Sequence, residues 1–301
     1  MSIAEDPTLM AIPDTEQVVT EERGRLFGIA YRMLGTVADA EDAVQETLVR
    51  WQQADRAEIE HPRGWLTTVL TRHCLDQLRS ARARRETYVG TWLPDPIVEA
   101  QGMVEADPAE RITLDESVSM AMLVILETLS PAERAVFVLH DVFGLEFEEI
   151  ATMVGRTAAA CRQLASRARR HVEERRPRFD PDAEEQRRVV AAFLDASNRG
   201  DIDRLLALLD PSVVLRGDGG GMVGVPRKPV AGAERVGKVL RNGYKRYLGA
   251  AGHLVSVNGG TGAVVTMDGR VIALVAIAVA DGRITEIDAV FNPDKLERLQ
   301  G

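Results

Sequence analysis

The sequence of 301 residues lacks long apolar runs and has only two cysteines, Cys74 and Cys161. Neither cysteine belongs to a CxxC pair or has a histidine at ligand spacing, and both lie in helical, partly apolar stretches. We therefore expect buried, reduced thiols and no metal site. No apolar run approaches the roughly 18 residues of a membrane span, and Glu5 and Asp6 stand where a signal peptide would be basic. These absences predict a cytoplasmic protein without a membrane partner.

Nucleotide-binding motifs are absent as well. Gly219, Gly220 and Gly221 form a glycine run, but the run has neither the GxxxxGK[ST] nor the GxGxxG context that cradles phosphate. We predict no cofactor.

Charge is present in blocks. The net charge of −9 argues against a nucleic-acid binder when the whole chain is averaged. Residues 63–85, however, contain six Arg and one acid (+5), and residues 156–176 contain seven Arg and two acids (+5). Residues 36–60 contain seven acids and two Arg (−5), and residues 92–116 contain seven acids and one Arg (−6). This sorting predicts that different segments meet partners of opposite sign.

Residues 130–170 have the punctuation of a helix-turn-helix, with Gly144 and Gly155 separating three short helices and with Ser130 and Thr157 as predicted N-caps. The last helix has a narrow apolar stripe, and its other face is basic. Such a face suits a phosphate-rich groove, although an ordinary solvated face is the alternative. The residues predicted to reach duplex DNA are Arg156, Thr157, Ala158, Arg162, Gln163, Ser166, Arg167 and Arg170.

Three helices are predicted before this motif, near residues 21–34, 37–53 and 63–85. The second helix exposes acidic and amide side chains, which serve either solubility or docking on a protein. The third is basic and has Trp65 near its start. Trp65 either stacks on unpaired bases or packs in a helical core.

These segments resemble a known family. DAEDAVQETLVRW (39–51) followed by PRGWLTTVLTRHCLDQLRSARARR (62–85) resembles region 2 of an extracytoplasmic-function sigma factor, and residues 130–170 resemble region 4. The resemblance implies that core RNA polymerase and promoter DNA are the partners. It places the second helix on the β′ clamp helices, through Asp39, Asp42, Gln45 and Glu46. It also implies that the third helix engages the melted −10 element, for which the candidates are Trp65, Thr68, Arg72, Arg79, Arg82, Arg84 and Arg85. Region 4 would bind the −35 element as duplex while contacting the β flap.

The linker after region 2 contains TWLPDP (91–96), where Pro94 and Pro96 disfavour helix and favour an extended segment. Trp92 is either a local hydrophobic anchor or part of a docking peptide. Beyond residue 183 we predict two helices, a strand near 213–216, a helix near 232–248 and four strands with hairpin turns at Asp268-Gly269 and Asp281-Gly282. Helices followed by a curled antiparallel sheet indicate an α+β cone.

This last part resembles a SnoaL-like, NTF2-like domain, and the whole order resembles the sigma subgroup that has such a domain in place of a separate anti-sigma factor. The matching pieces are TWLPDP, the DGGG turn and FNPDKL (291–296). We expect two all-α sigma domains followed by the cone, with an N-terminal arm (1–18), region 2 (19–86), a linker (87–112), region 4 (113–176), a short linker (177–183) and the cone (184–301). The predicted regulatory contacts are Trp92, Leu93, Pro94, Asp95, Pro96, Asp218, Gly219, Gly220, Gly221, Asn292, Pro293, Asp294, Lys295 and Leu296.

Two functions follow for the cone. Relatives of such cones include isomerases and cyclases, so Asp218, His253, Asp268, Glu286 and Asp288 are candidate acids or bases. We favour regulation without catalysis, because Asp268 falls in a turn and Asp218 in a glycine-rich loop. The regulatory hypothesis is that the cone packs against region 2, region 4 or the linker and sets their arrangement. For the whole chain, the alternative to an initiation factor is a free-standing DNA-binding regulator with a ligand-sensing or enzymatic tail. The ligand of any pocket is left open.

Overall fold

The computed structural model describes residues 15–86, 88–99, 118–175 and 182–300. The first half is helical, with α1 Thr15–Leu34, α2 Val37–Gln53, a 3-10 turn Arg56–Glu58, α3 Pro62–Glu86, α4 Met120–Glu127, α5 Pro131–Phe137 continued by a π turn Val138–Val142, α6 Phe147–Val154 and α7 Ala158–Arg175. The second half contains α8 Ala183–Arg199, α9 Ile202–Leu208, α10 Ala233–Arg246, α11 Pro293–Leu296 and a 3-10 turn Glu297–Leu299. The predicted N-terminal arm is too long, because α1 already includes residues 15–18 and Val18 packs into the core. Most of the arm, the linker beyond residue 99 and residues 176–181 lie outside the described residues.

Local capping explains the helix boundaries of the predicted helix-turn-helix. Ser130 and Glu133 form a reciprocal capping box at the start of α5. Gly155 ends α6 in the left-handed region, with φ 68°. The Thr157 hydroxyl accepts the amide of Ala160 at 3.2 Å, which opens α7. The predicted caps and breaks are therefore confirmed.

The two groups of helices, α1–α3 and α4–α7, share one hydrophobic core. Arg134 of α5 is 2% exposed and ties the groups together. Its guanidinium donates to the carbonyl oxygens of Met33 in α1 (2.7 Å) and Leu126 in α4 (2.8 Å), and it pairs with Glu127 (2.6 Å). The two predicted all-α domains are thus packed against each other.

The C-terminal domain contains a mixed sheet, of order β1-β4-β5-β6-β7-β2-β3. The strands are β1 Val98–Glu99, β2 Leu209–Asp218, β3 Val230–Ala231, β4 Ala251–Val257, β5 Gly260–Met267, β6 Arg270–Ala280 and β7 Arg283–Val290. The expectation of a purely antiparallel sheet is wrong, because β2 pairs in parallel with β7. The linker also adds a strand, since β1 pairs with β4. Asp268-Gly269 and Asp281-Gly282 turn with positive φ at both residues, as predicted for hairpins.

The two faces of this sheet have different partners. Leu215 and Ile287 pack beneath α8, α9 and α10, in a core that belongs to the cone alone. The opposite face packs against Leu93 of the linker, Val124 of α4 and Leu296 of α11. The outer face of the cone therefore rests on the linker and on the helical half.

Candidate functional site

The predicted −35 face lies on α7 and points to solvent. Apolar residues of α7, among them Cys161, Leu164 and Ala168, are buried in the helical core. Arg156, Thr157, Arg162, Gln163, Ser166, Arg167 and Arg170 are exposed, and Ala158 is half-buried. The structure thus places the predicted −35 residues along one side of the helix and at the turn before it.

Some cations of this face have protein partners in the structure. Arg162 pairs with Glu148 of α6 at 2.6 Å and lies over the Phe147 ring, and Arg167 pairs with Glu133 at 3.3 Å. Arg162 and Arg167 are more than half exposed, so these pairs contribute little to stability. DNA phosphates can replace such partners at small cost.

The predicted −10 face of α3 is partly covered by region 4. Arg72 donates to the carbonyl oxygen of Thr152 in α6 at 3.1 Å. Thr68 is half-buried and donates to Gly64, and Arg79 is exposed and pairs with Asp76 at 2.9 Å. Arg82, Arg84 and Arg85 belong to α3, but their side chains are outside the described part of the chain.

Trp65 takes the core alternative in this arrangement. Its ring packs on the buried Trp51 of α2, with centroids 5.6 Å apart, and it borders the helical core. Stacking of Trp65 on a base would require it to leave this contact.

The acidic residues of α2 lie near its start and on its exposed side. Asp39 is half-buried and accepts the Thr36 hydroxyl at 2.6 Å, which stabilises the N-terminus of the helix. Asp42 and Gln45 are exposed, and Glu46 pairs with Arg50 at 2.8 Å. Beside them, Glu41 pairs with Arg298 of the C-terminal 3-10 turn at 3.2 Å. The C-terminal segment therefore borders the predicted polymerase-binding face.

A buried carboxylate, Asp218 at the end of β2, joins the cone to the linker. Its oxygens accept the Tyr88 hydroxyl at 2.5 Å, the Leu93 amide at 3.1 Å and the Gly220 amide at 3.1 Å. The Lys295 ammonium lies 3.0 Å away. We call these five residues the Asp218 cluster. Burial and the bond to Asp218 raise the pKa of the Tyr88 phenol, so Tyr88 is a donor here.

Lys295 connects this cluster to TWLPDP. Its ammonium also lies 3.5 Å from the Asp95 carboxylate, donates to the Leu93 carbonyl oxygen and stands 4.3 Å from the centre of the Trp92 ring. Trp92 is therefore part of a docking segment, which is the second of the two alternatives. Pro94 is buried and Pro96 half-buried beside it.

Asp95 in turn holds the linker to region 2. Its carboxylate accepts the Val37 amide at the start of α2 (3.1 Å), its own amide donates to Gly35 (2.8 Å), and its carbonyl accepts the Tyr31 hydroxyl (2.6 Å). Burial raises the pKa of the Asp95 carboxyl. Asn258 completes the junction from the cone, because its side-chain amide donates to the Tyr31 hydroxyl at 2.8 Å.

The DGGG turn and the terminal motif meet around Asn292. Gly220 has φ 62°, and a Cβ there would lie 2.7 Å from the Asn292 side chain, so glycine is required. The Asn292 amide donates to Tyr88 at 3.0 Å, and its oxygen caps α11 at Asp294. Leu296 is buried against the linker, whereas Pro293 and Asp294 are exposed. Gly219 and Gly221 lie in the same turn.

The candidate acid–base residues of the cone do not form one site, although Glu286 and Asp288 meet at Arg216. Alternate strand residues point to opposite faces, so Arg216 and Asp288, next to inward-facing Leu215 and Ile287, point outward. Arg216 holds Glu286 and Asp288 at 2.9 and 3.0 Å. Burial raises the pKa of Asp288 to about 6 despite Arg216. His253 and Asp268 are exposed elsewhere.

Several contacts of this site involve residues outside the predicted set, namely Tyr31, Tyr88, Asn258, Glu41, Arg298 and Arg134. The Asn258-Gly259 turn signal is visible in the sequence, and both residues have positive φ. The sequence does not indicate that the Asn258 amide reaches 227 residues back to Tyr31.

Within the described ranges, no helix has the length and apolar character to cross a bilayer, and no three His, Cys, Asp or Glu side chains converge as a metal site.

Comparisons with known proteins agree with this organisation. The family model "Sigma-70 region 2" matches residues 18–84, and "Sigma-70, region 4" matches residues 119–172. The ECF RNA polymerase sigma factor SigJ of Mycobacterium tuberculosis is 42% identical over 285 residues, which cover 91% of this chain and 90% of SigJ. The probable ECF RNA polymerase sigma factor SigI of the same organism is 39% identical over 282 residues, 92% of this chain and 93% of SigI. The crystal structure of M. tuberculosis SigJ superposes with a TM-score of 0.76 and 36% identity, covering 94% of this chain and 98% of that one.

Proposed function

The chain belongs to the extracytoplasmic-function RNA polymerase sigma factors, and from this premise we propose that its cone holds the two DNA-binding regions in a closed arrangement. As a sigma factor it binds core RNA polymerase and directs promoter-specific initiation. The Asp218 cluster carries the proposal, because it joins the linker between the two regions to the cone through buried polar contacts.

We assign the surfaces as the charges indicate. The exposed acidic side of α2, around Asp42 and Gln45, docks on the polymerase. The basic side of α3 engages the −10 element once it is melted, and the exposed face of α7 binds the −35 element as duplex. Opposite charges on separate faces keep the protein and DNA contacts apart.

The closed arrangement cannot engage both promoter elements. Positions −10 and −35 are about 25 base pairs apart, or about 85 Å along B-DNA at about 3.4 Å per base pair. Here α1–α3 and α4–α7 share one core, and Arg134 reaches from α5 to the end of α1. Arg72, a −10 candidate, donates a solvent-exposed hydrogen bond to the Thr152 carbonyl oxygen of α6. Initiation therefore requires the two regions to separate.

The cone resists this separation. It contacts region 2 through Asn258 and Arg298, region 4 through Val124, and the linker through the Asp218 cluster. These contacts cannot all persist when the two regions move apart, because they hold both regions and the linker against one sheet. The cone therefore shifts the population toward the closed state by the free energy of these contacts.

This restraint makes a separate anti-sigma factor unnecessary, and it leaves the cone without a catalytic role. Asp218, Glu286 and Asp288 are consumed by contacts on the outer face of the sheet, where Lys295 and Arg216 neutralise them. A general acid or base needs access to substrate, which the buried Asp218 and Asp288 lack.

Run-off transcription with core polymerase tests the proposal. We compare the full chain with one ending after Asp182 and one ending after Val290, at matched concentrations on a promoter found by selection. Promoter-specific transcripts whose yield changes on truncation support it. Equal yields from all three chains would refute the regulatory role, and no transcript from any folded chain would favour a free-standing regulator.

A further inference from the structure

A strongly basic surface of the cone has no assigned role. Between Arg227 and Arg246 the chain has seven Lys and Arg residues and one acid, Glu234, which gives +6 in a chain of net −9. The segment comprises the loop before α10 and α10 itself. We call it the α10 surface.

The geometry of α10 separates its charge from its packing. Successive residues are about 100° apart around a helix. Val236 and Gly237 are buried, and Val239 and Leu240 pack on the core of the cone. The basic residues of α10 all lie within an arc of about 140° on the other side, and all are exposed: Arg235, Lys238, Arg241, Lys245 and Arg246.

Most of these cations are available to an external anion. Glu234 pairs with Lys238 at 2.8 Å, and Arg246 donates to the Gly224 carbonyl at 3.0 Å. Within the described residues, no carboxylate pairs with Arg235, Arg241 or Lys245.

The loop at the start of the α10 surface lies against the linker that follows region 2. The Thr91 hydroxyl lies 3.5 Å from the Arg227 carbonyl oxygen, and a Cβ on Gly90 would lie 3.8 Å from the Arg227 Cα. These linker residues follow the basic helix α3, which ends at Glu86. Arg227 and Lys228, both exposed, therefore place positive charge against the linker, four to five residues beyond the end of α3 in the chain.

We propose that the α10 surface binds backbone phosphates of promoter DNA, extending the DNA contact of region 2 without reading sequence. The proposal rests on the assignment of α3 to DNA. The exposed cations of this surface outnumber its one acid, Glu234, and such an excess of positive charge fits a phosphate backbone. A membrane surface fits less well, because a membrane-bound amphipathic helix inserts its apolar face, and that of α10 is buried in the cone.

The test compares two triple variants of the full chain with equal loss of charge. The first is Arg235→Gln, Arg241→Gln and Lys245→Gln. The matched control replaces exposed cations elsewhere on the cone: Arg187→Gln, Arg188→Gln and Arg270→Gln. Binding to a fluorescein-labelled 40-base-pair duplex of random sequence is measured between 50 and 200 mM salt. Circular dichroism melting confirms that each variant is folded.

Loss of three phosphate contacts lowers the slope of log K against log salt by about 2.7, so the wild type loses about 40-fold more affinity than the α10 variant across this range. The control variant should keep the wild-type slope. Equal slopes for both variants would overturn the inference, as would a defect only in binding to core polymerase or to vesicles with 30% phosphatidylglycerol.

Arg162→Ala separates this inference from the proposed function. If Arg162→Ala weakens promoter binding and the α10 variant keeps the wild-type slope, the α10 surface is not a DNA contact and the sigma assignment stands. If the α10 slope falls while transcription is absent from every chain, the DNA contact stands and the proposed function fails.

Discussion

Replacing Lys295 with methionine removes a buried ammonium group that faces two carboxylates. The side chain of Lys295 is 9% exposed, and its ammonium lies 3.0 Å from Asp218 and 3.5 Å from Asp95. Asp218 is fully buried, so its charge would lose its counter-ion without gaining water. The variant should therefore weaken the contact between the cone and the linker.

The magnitude follows from the surroundings. Removing one partner of a buried ion pair costs about 3–5 kcal/mol. The lower end applies here, because Asp218 keeps its donors Tyr88, Leu93 and Gly220. About 3 kcal/mol changes the ratio of closed to open molecules by about 150-fold, since about 1.4 kcal/mol is a factor of ten. A closed population of about 99% would then fall to about 40%.

Double electron–electron resonance measures the distance between two spin labels and therefore reports this change directly. Labels on Gln53→Cys in region 2 and Glu173→Cys in region 4 occupy exposed positions, and the native Cys74 and Cys161 are buried and unreactive. The wild type should give one short distance, and Lys295→Met a second, longer and broader population.

The control and the refutation use the same labels. Lys238→Met removes an exposed lysine with an ion pair in the same domain, and without DNA it should leave the distances unchanged. Adding Asp218→Asn to Lys295→Met removes the uncompensated charge and should restore part of the short population. If Lys295→Met lowers the stability of the cone but keeps one short distance, the Asp218 cluster does not hold the regions closed.

The remaining predictions concern separate surfaces. If Arg162 reads a base, Arg162→Ala should weaken binding to the −35 element by about 1–3 kcal/mol and relax the base preference. Arg170→Ala should instead weaken binding to all duplexes alike. Competition binding with point-mutated DNA sites distinguishes the two outcomes. Asp42→Lys should lower affinity for core polymerase more than Glu58→Lys, measured by gel filtration or anisotropy, because only the first alters the predicted docking side of α2. The raised pKa of Asp288, about 6, favours the protonated form in the folded state. The raised pKa therefore contributes up to about 3 kcal/mol to the free energy of unfolding below about pH 4, and this contribution is lost as the pH rises through 6. Asp288→Asn should flatten the pH dependence of the free energy of unfolding, measured by urea denaturation, over that window.

Features encoded by neighbouring residues could be predicted from the sequence. The capping box at Ser130, the left-handed Gly155 and the Asp281-Gly282 hairpin each depend on a few adjacent residues, and the structure has them where expected. The exposed basic face of α7 also follows from the 3.6-residue period. Local chemistry therefore defines most element boundaries and the exposed basic faces that are predicted to bind DNA.

Apart from the expected contact between the cone and TWLPDP, features that join distant segments could not be predicted. An apolar stripe shows that a helix face is buried but not against what, so the core shared by the two sigma regions has no sequence signal. The parallel pairing of β2 with β7 and the addition of β1 to β4 join segments far apart in the chain. The sequence shows that the motifs around Asp218 and Lys295 are unusual, but it does not indicate that both motifs contact Tyr88.

The position of the contacts between the cone and the helical half indicates which step of initiation they control. The exposed face of α7 remains open in the closed arrangement, so duplex contacts of region 4 do not depend on opening. Arg72 on α3, by contrast, is held by Thr152 of α6, and the acidic side of α2 is bordered by Arg298. In the proposed mechanism the cone therefore limits the distance between the two regions and access to region 2, while the predicted −35 face stays accessible. A regulator built this way acts on the step that needs both regions at once, because simultaneous engagement of −10 and −35 requires a separation that the shared core forbids.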